Sequence, residues 1–313
     1  MQKRSLGHSG LEIAPLVFGG NVFGWTADEA RSFDLLDRFV ERGFNAIDTA
    51  DSYAAWVPGL SGGDSETVIG KWLARRGRRD DVVLMTKVGM WAPRKGLSAA
   101  NIAAAVDGSL KRLGTDYLDV YFAHIDDEDV PLVETLGAFA TLVEAGKVRA
   151  LGASNYDAAR LREALETSKA QGLPRYEVIQ PQYNLYDRAD FEGGLSDVAR
   201  EHGLGVVSYF SLASGFLTGK YKDRGDLEGA ARAGMLERYF DARGQAVLDA
   251  LREVAADMSA TSAQVALAWL IAQPNLTAPI ASATSLEQLD DLMAAADLSL
   301  PADAIERLDK ASR

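Results

Sequence analysis

Eight short apolar runs of strand length, separated by segments of helical spacing, recur along the 313-residue chain, and this alternation limits its fold more than any other feature. The runs are Pro15–Phe18, Phe44–Ile47, Val82–Thr86, Leu118–Ala123, Val148–Gly152, Val178–Gln180, Gly205–Ser208 and Thr277–Ala281. Between them, Ala27–Arg42, Ser65–Arg76, Ser98–Leu113, Leu132–Ala145, Ala158–Ala170 and Ser285–Ala296 place apolar residues at helical intervals. Capping-box pairs at Thr26/Glu29, Thr261/Gln264 and Ser285/Gln288 mark helix starts. Parallel strands need crossover helices, so a strand–helix order repeated eight times predicts a parallel sheet. A closed barrel and an open doubly wound sheet both answer to that description. The open form usually carries G-x-G-x-x-G after its first strand. Here the turn reads Gly19-Gly20-Asn21-Val22-Phe23-Gly24, which does not match, so the α/β chain is expected to form a (β/α)8 TIM barrel. No linker-like tract and no repeat divides it, and residues 1–313 read as a single domain. Ahead of the first strand, KRSLGHSGLEI turns at Gly7-His8-Ser9-Gly10 and reads as an N-terminal β-hairpin placed to plug the barrel floor. Pro301–Ala311 reads as an extra C-terminal helix.

Composition removes several functions. The net charge of −12 gives a surface that repels phosphate backbones and anionic lipid, so neither nucleic acid nor a membrane is expected as a partner. Without cysteine there are no disulfides, thiolate nucleophiles, iron–sulfur clusters or cysteine-ligated zinc. His8, His124 and His202 are too few for a histidine-rich site, and no metal is expected. The N-terminus lacks an apolar core of signal-peptide length, and the longest apolar stretch, Val265–Ala272, is too short to span a bilayer. A cytoplasmic protein is expected.

In such a barrel the active site lies at the C-terminal ends of the strands. The second strand ends in Asp48, with Tyr53 five residues on; the third, VVLMTKVG, ends in Lys87; the fourth, LDVYFAH, ends in His124. Singly, each has an ordinary explanation: a cap or solvated carboxylate, a lid aromatic, a satisfied structural histidine. Four on adjacent tips point to one catalytic rim. A phenol near pKa 10 is a poor acid–base catalyst at neutral pH. A neighbouring Lys⁺ stabilises the phenolate, and an Asp⁻ holds that lysine charged and in place.

These residues resemble the aldo-keto reductases, in a bacterial pattern similar to the potassium-channel β-subunit-like reductases. "GFNAIDTADSY", "VVLMTKVG", "LKRLGTDYLDVYFAH", "VRALGASNY" and "VVSYFSLASGFLTGKY" look like the family's motifs in its order, across essentially the whole chain. The resemblance implies a (β/α)8 barrel that interconverts aldehydes or ketones and alcohols with NADPH or NADH. It makes Tyr53 the proton donor, tuned by Lys87 paired with Asp48, with His124 orienting the carbonyl oxygen. It assigns cofactor contacts to Gly20, Asn21 and Asp48. The nicotinamide carboxamide falls to Ser154, Asn155 and Gln180, and the ring face to Tyr209. The loop from Phe210 to Lys220, with Leu212 and Ser214, would cover the pyrophosphate; Ser282, Thr284, Gln288 and Asp291 would meet the adenosine end. Some of these have plainer readings: Gln288 as part of a capping box, Tyr209 as core, Asn155 as the N-cap of the helix from Ala158.

The chain departs from the family pattern in three places. Residues 54 to 64 lengthen the loop after Tyr53, and Trp56 within it, with Trp25 and Trp91, is expected to line a pocket for an aromatic or polycyclic compound. The chain ends soon after its last helix, without the long C-terminal lid of some relatives, so the mouth is expected to be open or closed by a neighbouring subunit. The segment Pro279–Asp291 holds three acids and no Lys or Arg, where the family usually grips a 2′-phosphate, so NAD(H) is expected to be accepted. A Schiff-base aldolase using Lys87 and a cofactor-sensing regulatory subunit are the competing functions. The small-molecule substrate, the favoured direction and the oligomeric state stay open.

Overall fold

The computed structural model describes residues 1–229 and 232–313, and in it the eight apolar runs close into one parallel barrel. Two short antiparallel strands come first, β1 (Arg4–Ser5) and β2 (Glu12–Ile13). The barrel follows as β3 (Val17–Gly19), β4 (Ala46–Asp48), β5 (Val83–Val88), β6 (Leu118–Ala123), β7 (Val148–Ser154), β8 (Tyr176–Gln180), β9 (Gly205–Ser208) and β10 (Ala278–Ala281). β10 pairs with both β9 and β3 and so closes the ring. The first strand starts two residues later than its apolar run because Pro15 has no amide to donate to the ladder.

Helices cover the outside, which is why β5 and β6 are buried at every position and lack a polar alternation. Alternate residues still part company. Val83, Met85, Val120 and Phe122 fill the barrel interior, while Leu84 and Tyr121 pack in the shell between strands and helices. Phe122 has its room because β7 offers Gly152 opposite it; a Cβ there would stand 2.3 Å from the ring. The hairpin seals the floor. Leu6 and Ile13 are fully buried within the interior cluster, and Gly7, at φ +59°, lies so close to the Glu177 carbonyl that a Cβ would meet it at 2.4 Å.

The outer layer contains α1 (Glu29–Glu41), α2 (Asp64–Arg76), α3 (Ala99–Leu113), α4 (Leu132–Glu144), α5 (Ala158–Gln171) and α6 (Gly194–His202). The connection from β9 to β10 is the longest and holds the short α7 (Ala233–Leu236), α8 (Ala242–Met258) and α9 (Ser262–Ile271); α10 (Leu286–Ala294) and α11 (Ala302–Ser312) follow β10. Of the three expected capping boxes only Thr261/Gln264 forms with both halves. α1 is capped by Asp28, whose carboxylate accepts from the Arg31 amide, and not by Thr26. Ser285 caps α10, but Gln288 turns its carbonyl to Thr284. Among the described residues no single helix is long and apolar enough to cross a membrane.

Candidate active site

β4, β5 and β6 bring the four expected residues to one rim. Lys87 and Asp48 are buried and joined at 2.7 Å between Nζ and Oδ2. The ammonium also donates to the Thr49 carbonyl at 2.7 Å and to the Tyr53 phenol oxygen at 2.9 Å, so all three of its protons are engaged. Tyr53 donates to Asp48 Oδ2 at 3.2 Å, and Gln180, from the opposite side of the barrel, donates to Oδ1 at 2.8 Å. A tight polypeptide turn carries Tyr53 back over Lys87. The Thr49 amide stays on the ladder at the Met85 carbonyl (2.9 Å), and Thr49 and Ser65 share a hydroxyl bond of 2.8 Å. Ser65 in turn donates to the Gly20 carbonyl at 2.7 Å, and Ala54, at φ 74°, turns the chain away after Tyr53.

Burial, and then the charge of Asp48, push the Tyr53 phenol well above its ordinary value. This is opposite in direction to the lowered phenol expected from the sequence, because a partly buried oxygen sharing its carboxylate with the lysine feels little net positive charge. Burial draws the Lys87 ammonium down, and Asp48 acts against that. The His124 ring centroid stands 6.2 Å from that of Tyr53. Burial and the Lys87 charge hold this imidazole well below its usual range, so it is neutral, and its Nδ1 has no hydrogen-bond partner among the described residues.

The tips of β7, β8 and β9 gather the residues expected at a nicotinamide carboxamide. Ser154 donates to the Gln180 carbonyl at 2.8 Å, and Asn155 donates to the His124 carbonyl at 2.8 Å. Asn155 accepts from the Tyr209 hydroxyl at 2.8 Å. Asn155 takes φ 58°, and the N-cap of α5 is Asp157, so Asn155 is not the helix cap. In the loop that follows, Phe210, Ala213 and Ser214 also have positive φ, of 52°, 49° and 59°. Three non-glycine residues in this conformation are costly and cluster where backbone must face a ligand. Leu212 precedes this kink, and Lys220, exposed, lies 4.8 Å over the Tyr221 ring.

The tips of β3 and β10 also meet. Ser282 donates to Asn21 at 2.6 Å, and Gly19 allows the approach, since a Cβ there would stand 2.5 Å from the Ser282 oxygen. Gly20 backs onto the Asp48 carbonyl in the same way, at 2.9 Å. Thr284 and Gln288 bond each other at the start of α10. Asp291 lies apart from these: it accepts from Thr261 at 3.1 Å and Gln264 at 2.8 Å and ties α10 to the start of α9. A row of amides and hydroxyls from β7 to β9, a loop with left-handed backbone, and a helix N-terminus after β10 fit a long ligand with phosphates.

Two of the three tryptophans expected at the pocket form an aromatic wall. Trp25 stands edge-on to Trp56 at 5.7 Å, and Trp56, 51% exposed, stands edge-on to Tyr53 at 5.9 Å. Trp91 belongs to a different contact: it donates to the Ser61 carbonyl at 2.7 Å and lies 5.7 Å from the Arg112 guanidinium. Arg232, 5.7 Å from the Trp25 ring, escaped sequence reading because no pattern marks it within the long loop. Asp51 also escaped, although it lies inside the stretch that delivers Asp48 and Tyr53.

The model of the aldo/keto reductase family matches residues 15–313. The chain is 35% identical to the uncharacterized oxidoreductase YrpG of Bacillus subtilis, over 98% of this chain and 95% of that one. It is 33% identical to a probable voltage-gated potassium channel subunit beta of Arabidopsis thaliana, over 95% and 92%. It is 31% identical to the L-glyceraldehyde 3-phosphate reductase of Escherichia coli, over 93% and 86%.

Proposed function

The chain belongs to the aldo/keto reductase family and is an oxidoreductase, and from that premise we propose that it interconverts an aldehyde or ketone and its alcohol, with a nicotinamide dinucleotide as redox partner. The observation that supports this best is the phenol oxygen of Tyr53 held 2.9 Å from a buried ammonium that is itself paired with Asp48.

In the reducing direction Tyr53 gives its hydroxyl proton to the carbonyl oxygen while the carbonyl carbon gains a hydride. The raised phenol value keeps that proton in place through neutral pH. As it leaves, Lys87 offsets the phenolate charge at hydrogen-bond distance, and Asp48 keeps Lys87 charged and aimed. Neutral His124 orients the carbonyl oxygen without competing for the proton. The bound dinucleotide supplies the hydride from its nicotinamide. Ser154, Asn155, Gln180 and Tyr209 would hold that ring, the Phe210–Lys220 loop the pyrophosphate, and Asn21, Ser282, Thr284 and Gln288 the remainder. Trp25 and Trp56 make an apolar wall beside Tyr53 and suit an aromatic carbonyl.

Similarity to a channel subunit supports a second reading, as a dinucleotide-sensing regulatory protein. The intact proton-donor arrangement favours turnover. The aldolase reading needs a lone pair on Lys87, whose three protons are all donated. The test is oxidation of NADPH and NADH with aromatic aldehydes by the wild type and Tyr53→Phe. General acid catalysis contributes roughly 10²–10⁴-fold, so Tyr53→Phe is expected to lose at least a hundredfold in turnover and to bind cofactor normally. Retention of more than about a tenth of turnover, with chemistry rate-limiting, would remove Tyr53 from the donor role.

A further inference from the structure

The turn between Asp48 and Tyr53 holds a second carboxylate that the reaction above does not use. Asp51 is fully buried, and neither of its carboxylate oxygens has a hydrogen-bond partner among the described residues. Only its backbone is engaged, the amide donating to the Lys87 carbonyl at 3.4 Å. The charged and titratable groups that face it are Glu66 on α2, Arg112 on α3, Lys87 on β5 and Tyr121 on β6. Both cations already have carboxylates. Arg112 donates to Glu66 at 2.7 Å, with Thr86 completing that group at 2.6 Å, and Lys87 is paired with Asp48. The Tyr121 hydroxyl is buried and equally without a partner. An ionised carboxylate in this place would have only the adjoining Ser52 amide to meet it, no cation of its own and a like-charged neighbour; the protonated acid carries no charge to compensate. Burial first, and then Glu66, push the Asp51 carboxyl up to about 7, against the opposing pull of Arg112, Lys87 and the Ser52 backbone amide.

We propose that Asp51 is a positioning residue that carries a proton in the working protein and, as a neutral acid, leaves the positive charge of Lys87 undivided between Asp48 and Tyr53. The inference rests on the proposed carbonyl reduction. When Asp51 ionises, its proton goes to solvent and a negative charge appears behind Lys87. That charge opposes phenolate formation at Tyr53, so reductive turnover falls.

Asp51→Asn keeps the shape and fixes the neutral state; Asp51→Ser, smaller and also neutral, replaces it if Asn fails to fold. Thermal unfolding from pH 4 to 8 reads the proton without any turnover. Below the unfolded value near 3.9 both states of the wild type are protonated. As pH rises from about 4 to about 7 only the unfolded chain loses its proton, so the wild type loses stability; above about 7 the loss is complete. The melting temperature of the variant minus that of the wild type should therefore rise across that window and then level off. The kcat ratio of variant to wild type, with an aromatic aldehyde and saturating cofactor, should rise roughly tenfold from pH 6 to pH 8, since about a tenth of the acid stays protonated one unit above its midpoint. A melting difference that does not vary with pH overturns the protonated state. A flat kcat ratio in a turning-over enzyme overturns the positioning role alone. Absence of carbonyl turnover in the wild type overturns the proposed function and the positioning role together, leaving the proton itself to the unfolding curves.

Discussion

Lys87 makes three contacts with three protons, and each contact limits what a substitution can do. Lys87→Met fits the volume but leaves Asp48 charged in a buried place with only Tyr53 and Gln180 as donors, and breaking a buried pair in this way costs about 3–5 kcal/mol. The phenolate loses its neutralising neighbour at the same time. Turnover is expected to fall more than a hundredfold, and the remaining activity to shift toward alkaline pH. Asp48→Asn should act in the same direction but more weakly, because the Thr49 carbonyl still holds the ammonium. Single-turnover hydride transfer across pH 6 to 10 measures both; unchanged profiles in the two variants would mean that the pair does not tune Tyr53. The meeting of Asp48, Tyr53, Lys87 and His124 at one rim was legible because each lies at or just beyond the end of a neighbouring parallel strand. The direction of the phenol shift was not, since burial of the whole cluster is a tertiary property.

At the scale of elements, all eight strands were visible as apolar runs, and the boundaries moved for local reasons such as Pro15 and the capping of α1 by Asp28. The β9–β10 connection was the least legible, because α7 and its neighbouring turns pack on the rim through contacts that have no periodicity. The segment after β10 yields a prediction of its own. Two of its three acids have partners from other helices: Asp290 meets Arg38 of α1 at 3.3 Å, and Asp291 meets α9. Neutral donors remain at Ser282, Thr284 and Gln288. A charge-assisted bond contributes roughly 1.5–3 kcal/mol against about 1 for a neutral one, so preference for NADP(H) over NAD(H) should be small or reversed. The ratio of kcat/KM for the two cofactors at one ionic strength decides it. A preference above about a hundredfold for NADP(H) would mean that cations from another loop, such as Lys220 or Arg232, reach the 2′-phosphate.

For the whole molecule, the β1–β2 hairpin separates stability from chemistry. Leu6 is fully buried at the floor, with the whole barrel between it and the rim. Leu6→Ala should cost about 2–5 kcal/mol of unfolding free energy and leave kcat/KM unchanged below the melting range; denaturant titration and initial rates read the two separately. An equal loss in both would show that the floor transmits strain to the rim. The sealed floor also sets a queue. Traffic passes the rim, and what lies deepest goes in first and comes out last. Ser154 and Gln180, only 2% and 3% exposed, lie behind that rim, while half-exposed Trp56 is on its threshold. On the proposed function the dinucleotide is therefore the first arrival and the last departure, and each alcohol leaves past an occupied interior.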